Sequence, residues 1–484
     1  VSSWIAALLA PPLVTAAVAM LVRPYRRWVA VLGALASCGS LVAAIRLAAY
    51  VIAHREAVSG PFRLDGLSAL LVLCIAFVGC LSAVLGPPVY AGQGYDGVQL
   101  RRMCAFGSIF VAAMLFAVTV NNLALMWVAI EATTITSAVL IPLHVTKASV
   151  EASWKYILLG GVGIALAFAG TVLTYFDFTQ RVGAGDSALN WTSVVAAAPL
   201  LHAEVLRLAF AFVLLGYGTK AGIAPMHTWL PDAHAEAPSS VSALMSGVLL
   251  AVATYAVMRW KAVLDASAVG AAYTNRLLIA FGLLSLGLAA FSLLAQRNYK
   301  RMLAYSSVEH SGLIWLGVGL GPAGVFAAML HLVNHAIGKS ALFLLSGRVL
   351  HRYRSTEIAS APGLLGVMPV TGLFFAAGML ALVGLPPFGL FVSELRMIAA
   401  GFAEGRPALM TIVLALLVVA FVGLVRSLNR MLHGDVPQDV ERGETGAIQL
   451  VPIAICIGLL TMLGFGLPNE LRVLLNQIAG PGVP

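Results

Sequence analysis

Apolar residues run along this chain in long blocks of about twenty, divided by short polar breaks, from one end to the other. An α-helix rises about 1.5 Å per residue, so a block of roughly 20 residues crosses the ~30 Å hydrocarbon layer of a bilayer. About fourteen such blocks are recognisable, near 4–22, 28–50, 66–86, 103–120, 123–143, 155–176, 204–223, 239–258, 276–295, 302–320, 324–347, 369–402 (interrupted), 408–429 and 448–466. The pattern predicts an all-α polytopic membrane protein with about 14 transmembrane helices. The longest polar stretches, near 87–102, 177–193 and 431–447, are too short to bury a soluble core. The first block is followed, not preceded, by Arg23, Arg26 and Arg27, so it reads as a span rather than a removed leader.

Two blocks are interrupted in the same manner. The seventh runs into GIAPMHTWLPDAH, with Pro225 and Pro231, and the twelfth into GLPPFGLF, with Pro386 and Pro387. Proline removes a backbone donor and breaks the helical ladder. Unpaired backbone is tolerated at membrane depth only inside protein or beside water. Matching interruptions in two halves predict inverted repeats around a transport path. Setting Gly222 on Gly384 gives three leading helices in 1–102, a five-helix repeat in 103–258, a second in 276–429, and a last helix with its tail in 448–484.

Composition agrees: of 484 residues 60% are hydrophobic and 10% charged, where a soluble domain carries roughly 25% charged. A net charge of +9 on a soluble domain would suggest nucleic acid. Here the basic residues gather in alternate loops instead, such as Arg23, Arg26 and Arg27, then Arg297, Lys300 and Arg301, then Arg348, Arg352 and Arg354. The positive-inside rule then puts both termini outside; the expected setting is a prokaryotic inner membrane, with the lipid bilayer and no nucleic acid as surroundings. The five cysteines all fall in apolar blocks without CxxC spacing, against a disulfide framework, a zinc site or an iron–sulfur cluster.

The candidate chemistry is charge in the wrong solvent. An ionised side chain inside a bilayer is expensive, and such residues mark ion or proton pathways. Glu131 lies mid-block beside Thr133, Thr134, Thr136 and Ser137, and Lys220 lies one turn before the first break. Paired with Glu131, Lys220 would change proton affinity as the two move together or apart; a snorkelling lysine is the plainer reading. His331, His335 and Lys339 recur at intervals of four on one helix face, with Asn334 beside them. Such a ladder can hold water and pass protons, imidazole titrating near neutrality. Glu394 follows the second break, with Arg396 close enough in sequence to neutralise it. Glu309, His310, His227 and His234 are secondary candidates. His227, Asp232, His234 and Glu236 have no strong metal-ligand spacing, and capping of the broken helix is the expected role. A GxGxxG at 319–324 joins two spans and follows no strand, so it is no dinucleotide fingerprint.

The stretches HTWLPDAHAEAPSSVSALMSGVLLAVATYAVMR, WVAIEATT, EASWKYILLGGVGIALAFAGT, YSSVEHSG and HLVNHAIGKSALFLLSG together resemble the antiporter-like subunits of respiratory complex I. That family includes the large subunits of multisubunit Na+/H+ antiporters. EASWKY, DAHAEAPS and SSVEH are most similar to the F-type subunit of hydrogenase-four and related energy-converting complexes. The resemblance implies fourteen helices, inverted repeats of five, and proton translocation through two half-channels on a polar axis. It matches the family's glutamate of the fifth span to Glu131, its lysine of the seventh to Lys220, its histidine of the eleventh to His335, and its terminal charged residue of the twelfth to Glu394. It departs at the eighth span, where many relatives carry a lysine or other polar group and this chain has Ala251. The bridge between the halves then falls to water, Lys339 or the histidines. The resemblance also implies other membrane subunits and a peripheral redox arm whose iron–sulfur clusters belong to the partner, with no cofactor or metal on this chain. A secondary Na+/H+ antiporter, or a membrane energy-coupling partner of a soluble enzyme such as an inorganic-carbon uptake system, are the alternatives.

Overall fold

The apolar blocks form helices in the computed structural model, which describes residues 1–438, 440–444 and 446–480, with the backbone alone across 88–92. The leading helices are α1 (Ser2–Leu21), α2 (Arg27–His54) and α3 (Gly66–Gly92). Next come α4 (Gly97–Thr119), α5 (Leu123–Leu140), α6 (Lys147–Arg181), the short α7 (Trp191–Ala197), α8 (Ala203–Lys220), α9 (Trp229–Glu236), α10 (Ser239–Leu244) and α11 (Leu250–Asp265). The rest are α12 (Ala271–Leu294), α13 (Tyr299–Val318), α14 (Gly321–Tyr353), α15 (Leu364–Val367), α16 (Pro369–Leu382), α17 (Gly389–Ala403), α18 (Pro407–Leu432), α19 (Val451–Phe465) and α20 (Asn469–Ala479). Among the described residues the one sheet is a two-stranded hairpin, Ala57–Ser59 against Phe62–Leu64, antiparallel with Ala57 opposite Leu64.

Among the described residues, eleven helices are long and apolar enough to cross a membrane, or twelve counting one bent pair. The sequence pattern predicts about fourteen. The difference falls where the chemistry does: α8 holds Lys220, α13 holds Glu309 and His310, and the second break divides α16 from α17. Polar side chains and the proline break lower the apolar character of these segments.

Burial divides the bundle into an inner and an outer set. In Ser239–Asp265 and in Gly321–Tyr353, 94% of the positions in the apolar stretch are buried, against 22% in α2. The two innermost segments are therefore sealed by protein, and α14 is also the one that carries His331, His335 and Lys339.

The two breaks are closed by the same cap. After α8, the N–H of Ile223 donates to Gly218 O at 2.9 Å and that of Ala221 to Tyr217 O at 2.8 Å, with Gly222 at φ +70°. After α16, the N–H of Leu385 donates to Leu380 O at 3.1 Å and that of Val383 to Met379 O at 3.0 Å, with Gly384 at φ +68°. This is a Schellman-type ending, which needs a left-handed residue and therefore favours glycine. The N–H of Met226 then bonds Ile223 O at 3.1 Å, and that of Phe388 bonds Leu385 O at 3.2 Å, so the match continues past the cap.

An ion pair between buried Arg259 and half-buried Asp65 ties the leading helices to α11. Arg259 grips Asp65 through two bonds of 2.5 and 2.7 Å and also donates to Ser68 Oγ at 2.8 Å. Burial opposes charge on Asp65, but the Arg259 guanidinium more than offsets it and holds the carboxyl well below the usual range. Arg63 and Arg259 both lie over the Trp191 ring, at 4.9 and 4.5 Å.

Candidate functional site

α5, α6 and α8 bring the first group together. α5 is started by Asn122, whose side chain accepts from the N–H groups of Ala124 and Leu125. α6 and α8 pack through glycines: a Cβ on Gly216 would lie 2.5 Å from Gly163 O. That close approach carries Lys220, which is fully buried, to α5. Its Nζ donates to Thr134 Oγ1 and, at 3.2 Å, to the Tyr156 hydroxyl. Thr134 in turn donates to Glu131 Oε2 at 3.0 Å. The pairing of Glu131 with Lys220 is thus not a direct contact. A threonine hydroxyl sits between acid and base, and every hydrogen in the row points from amine to carboxylate.

Glu131 itself is only half-buried. Its neighbours one turn away on α5, Val128 and Ile135, are 51% and 61% exposed. The acid therefore lies beside an outward-facing stripe in the middle of an apolar helix.

α13, α14 and α17 bring the second group together. Lys339 donates to Leu303 O at 2.7 Å and to Ser306 Oγ. Glu309 interacts electrostatically with both Lys339 and Glu394. Ser393 donates its hydroxyl hydrogen to Leu390 O at 2.8 Å, so toward His331 Nδ1, 2.9 Å away, it accepts. His331 is then protonated on Nδ1 and bare on Nε2. His310 Nδ1 faces that bare nitrogen at 2.9 Å and supplies the hydrogen between them. The far nitrogen of His310, Nε2, is left without a partner, and His335, whose ring lies 5.2 Å from that of His310, also has an unpartnered Nε2. Because the row ends on a backbone carbonyl, Ser393 fixes the tautomer of His331 and carries no proton onward.

Glu394 points back at the break: a Cβ on Gly384 would lie 2.1 Å from its Oε2. Arg396, its expected neutraliser, instead lies over the Phe326 ring at 5.3 Å. His310, His331 and Glu394 each offer a ligand atom within 4.8 Å of the others.

Of the remaining candidates, His234 lies near enough to Lys339 to interact with it electrostatically, and His227 stands apart. His227 lies 6.4 Å, ring to ring, from Tyr305, and His234 stacks on Phe343 at 4.9 Å. Asp232 pairs at the surface with Lys155 at 3.2 Å and Arg301 at 2.9 Å.

Three features escape the sequence pattern. Lys300 reads as a loop cation, yet it is buried and donates to Ala235 O at 3.0 Å and Ala237 O at 2.6 Å, closing the end of α9. Asp65, which the sequence pattern does not single out, is the partner of Arg259. A π-turn over Met245–Leu249 precedes Ala251. There Ser246 bonds Ser307 at 2.7 Å, and a Cβ on Gly247 would meet Ser340 Oγ at 2.5 Å. At this turn, just before Ala251, a serine pair joins the eighth span to α13, and Ser340 of α14 lies against Gly247. π-turns inside helices are frequent at functional sites; the i, i+5 pattern leaves no residue-level signature to read.

Comparison with known proteins bears on this arrangement. Residues 120–419 match the family described as NADH:quinone oxidoreductase/Mrp antiporter, TM. The chain is 38% identical over 393 residues to the Hydrogenase-4 component F homolog of Methylacidiphilum infernorum, covering 80% of this chain and 81% of that one. A chain of the membrane-bound sulfane sulfur reductase, an archaeal respiratory membrane complex, superposes with a TM-score of 0.87 at 26% identity, over 98% of this chain and 97% of that one. A chain of the Mrp complex from Dietzia sp. DQ12-45-1b gives a TM-score of 0.87 at 21% identity, over 99% and 97%, and speaks to the fold alone. Both structures are multisubunit membrane complexes.

Proposed function

The chain belongs to the family of antiporter-like membrane subunits found in complex I, Mrp antiporters and hydrogenase-4, and from that premise we propose that it translocates protons as one subunit of a membrane-bound redox complex. The observation that carries this reading is the row Lys220, Thr134, Glu131. An amine and a carboxylate joined through one hydroxyl can trade a proton without moving a heavy atom. The trade converts a charged pair to a neutral one, which is what a site loading and unloading protons in a low-dielectric interior requires.

The second group would continue the path. Lys339 and Glu309 form its inner end, His310, His331 and His335 its middle, and Glu394 its outlet, with His227 and His234 as side branches. The serines at the π-turn support a link between the halves. The shared caps after α8 and α16 support an inverted repeat of 103–258 and 276–429, hence about fourteen spans once α8, α13 and the α16–α17 pair are counted with the eleven. Both termini would lie outside the cytoplasmic membrane of a prokaryote.

The outward stripe beside Glu131 supports a membrane partner. A carboxylate facing lipid at that depth is costly, and a neighbouring subunit covering α5 removes the cost. The energy would come from a redox arm on the partner side, at ~2.3 kcal/mol per charge per 100 mV of potential. The test uses the intact complex in sealed vesicles. With Lys220→Met, donor-driven proton uptake is expected to collapse while the complex stays assembled. Undiminished uptake would overturn the reading, and a requirement for Na+ in the wild type would move it to Na+/H+ exchange.

A further inference from the structure

The junction of α13, α14 and α17 has more ligand character than a proton relay needs. His310 Nδ1 and His331 Nε2 face one another at 2.9 Å across a single shared hydrogen. Tetrahedral zinc, with Zn–N of about 2.0–2.1 Å, holds its nitrogens about 3.4 Å apart, so an opening of roughly half an ångström admits the ion between them. A ligand atom of Glu394 lies within 4.8 Å of both histidines' ligand atoms. Glu394 is the one member of the set that is not fully buried, and it has three side-chain torsions with which to close that distance.

Three further observations point to a cation. The first is His331: its Nδ1–H is held by Ser393 Oγ at 2.9 Å, the outer contact that orients a metal-ligating histidine and leaves Nε2 free to bind. The second is the fully buried Nε2 of His310, which has no partner. When an ion takes the place of the shared hydrogen, that hydrogen moves to this bare nitrogen, and the count of protons is unchanged. The third is Gly384, whose missing side chain leaves the room that Glu394 fills. Lys339 acts on His310 and works against a cation, and Glu309 is the acid that faces Lys339.

From these contacts we infer that His310, His331 and Glu394 form a binding site for a divalent transition metal of the zinc type, and that an ion there closes the second half of the proton path. Two imidazoles with one carboxylate suit zinc and leave a fourth position open to water; magnesium and calcium prefer all-oxygen sites. The binding claim stands on these three side chains alone. The closing claim rests on the function proposed above.

The experiment uses the intact complex, stripped with a chelator and then titrated with Zn2+. Zinc X-ray absorption of the wild type is expected to show imidazole nitrogen and carboxylate oxygen at the ion. His331→Gln and Glu394→Gln, in the same complex, are expected each to weaken the affinity about tenfold or more, while Mg2+ does not compete. Ser393→Ala, which keeps all three ligands, is expected to weaken binding by about 10–100-fold. An absorption spectrum without imidazole, or equal zinc affinity in wild type and both ligand variants, overturns the site. The spectrum is read on the wild type and decides the matter even if a variant fails to assemble. Proton uptake by the wild type is expected to stop as the site fills. Zinc held by these residues with uptake undiminished upholds the site and overturns the path assigned to it.

Discussion

Replacing Thr134 with valine tests the proton row at its narrowest point. Valine keeps the shape of threonine and removes the hydroxyl, so the acceptor for Lys220 and the donor to Glu131 disappear together. Hydrogen bonds to charged groups contribute about 1.5–3 kcal/mol each. Lys220 keeps the Tyr156 hydroxyl at 3.2 Å, a partner that Ser137 also bonds at 2.8 Å, so the amine is not stranded and the protein is expected to fold. Glu131 is half-buried and can take a partner elsewhere. The proton trade has no such substitute. Losing both bonds from its transition state removes about 3–6 kcal/mol, and at ~1.4 kcal/mol per tenfold the step slows by at least about a hundredfold. The assay is donor-driven acidification of sealed vesicles, read by a quenched fluorescent amine, with electron transfer followed in parallel. Thr134→Ser, which restores the hydroxyl, is expected to recover most of the rate. Wild-type proton uptake by an assembled Thr134→Val complex would refute the argument that the hydroxyl lies on the path.

Other substitutions test the supporting structure. Gly216→Ala puts a methyl 2.5 Å from Gly163 O and 2.6 Å from Ala167 N; both are backbone, so α6 and α8 must part, and a stability loss of about 1–3 kcal/mol or more is expected as a lowered Tm in detergent. Gly384→Ala meets a left-handed φ of +68° and displaces the Glu394 carboxylate; it is expected to cost ~1–2 kcal/mol from the backbone and to impair proton uptake further than Gly222→Ala impairs the Lys220 row. Asp65→Asn removes the countercharge of the buried Arg259 guanidinium, which keeps Ser68 and the Trp191 ring, a loss of up to about 3–5 kcal/mol that thermal unfolding would register. The carboxyl of Asp65 is held below its ordinary value, so its contribution is complete above the unfolded pKa, about 4, and is lost only as the pH falls toward the lower folded value. The wild type should therefore resist mild acid, and a Tm that falls between neutrality and pH ~5 in wild type but not in Asp65→Asn would contradict this.

Much of this arrangement was legible because hydrocarbon penalises charge and proline wherever they occur. Lys220, Glu131 and the α14 ladder stand out in the sequence for that reason, and Gly222 and Gly384 announce their breaks by composition. What the sequence hides is contact across helices. Thr134 looked like one of several hydroxyls near Glu131, and only the approach of α8 through Gly216 makes it the link. His310 and His331 are 21 positions apart and meet because α13 and α14 form a hairpin. Lys300 looked like a loop cation because the Arg297–Arg301 stretch is basic, yet α9 folds back over it. Asp65 and Arg259 are separated by most of the leading half of the chain. The eleven or twelve strongly apolar helices fall short of the fourteen blocks for a related reason: the polar groups that matter most make their own helices look least like membrane spans.

The uniform direction of the hydrogens between Lys220 and Glu131 sets a limit on how the site cycles. Once a proton has hopped along, the Thr134 hydroxyl points back at the lysine, and the same hop cannot recur until it swivels round. Threonine thus acts as a turnstile, passing one forward charge per rotation; until it swivels only the return hop is open, so the swivel is the step that commits the charge. Heavy water, which slows each swivel and each hop, would then retard ion movement more than it retards electron flow.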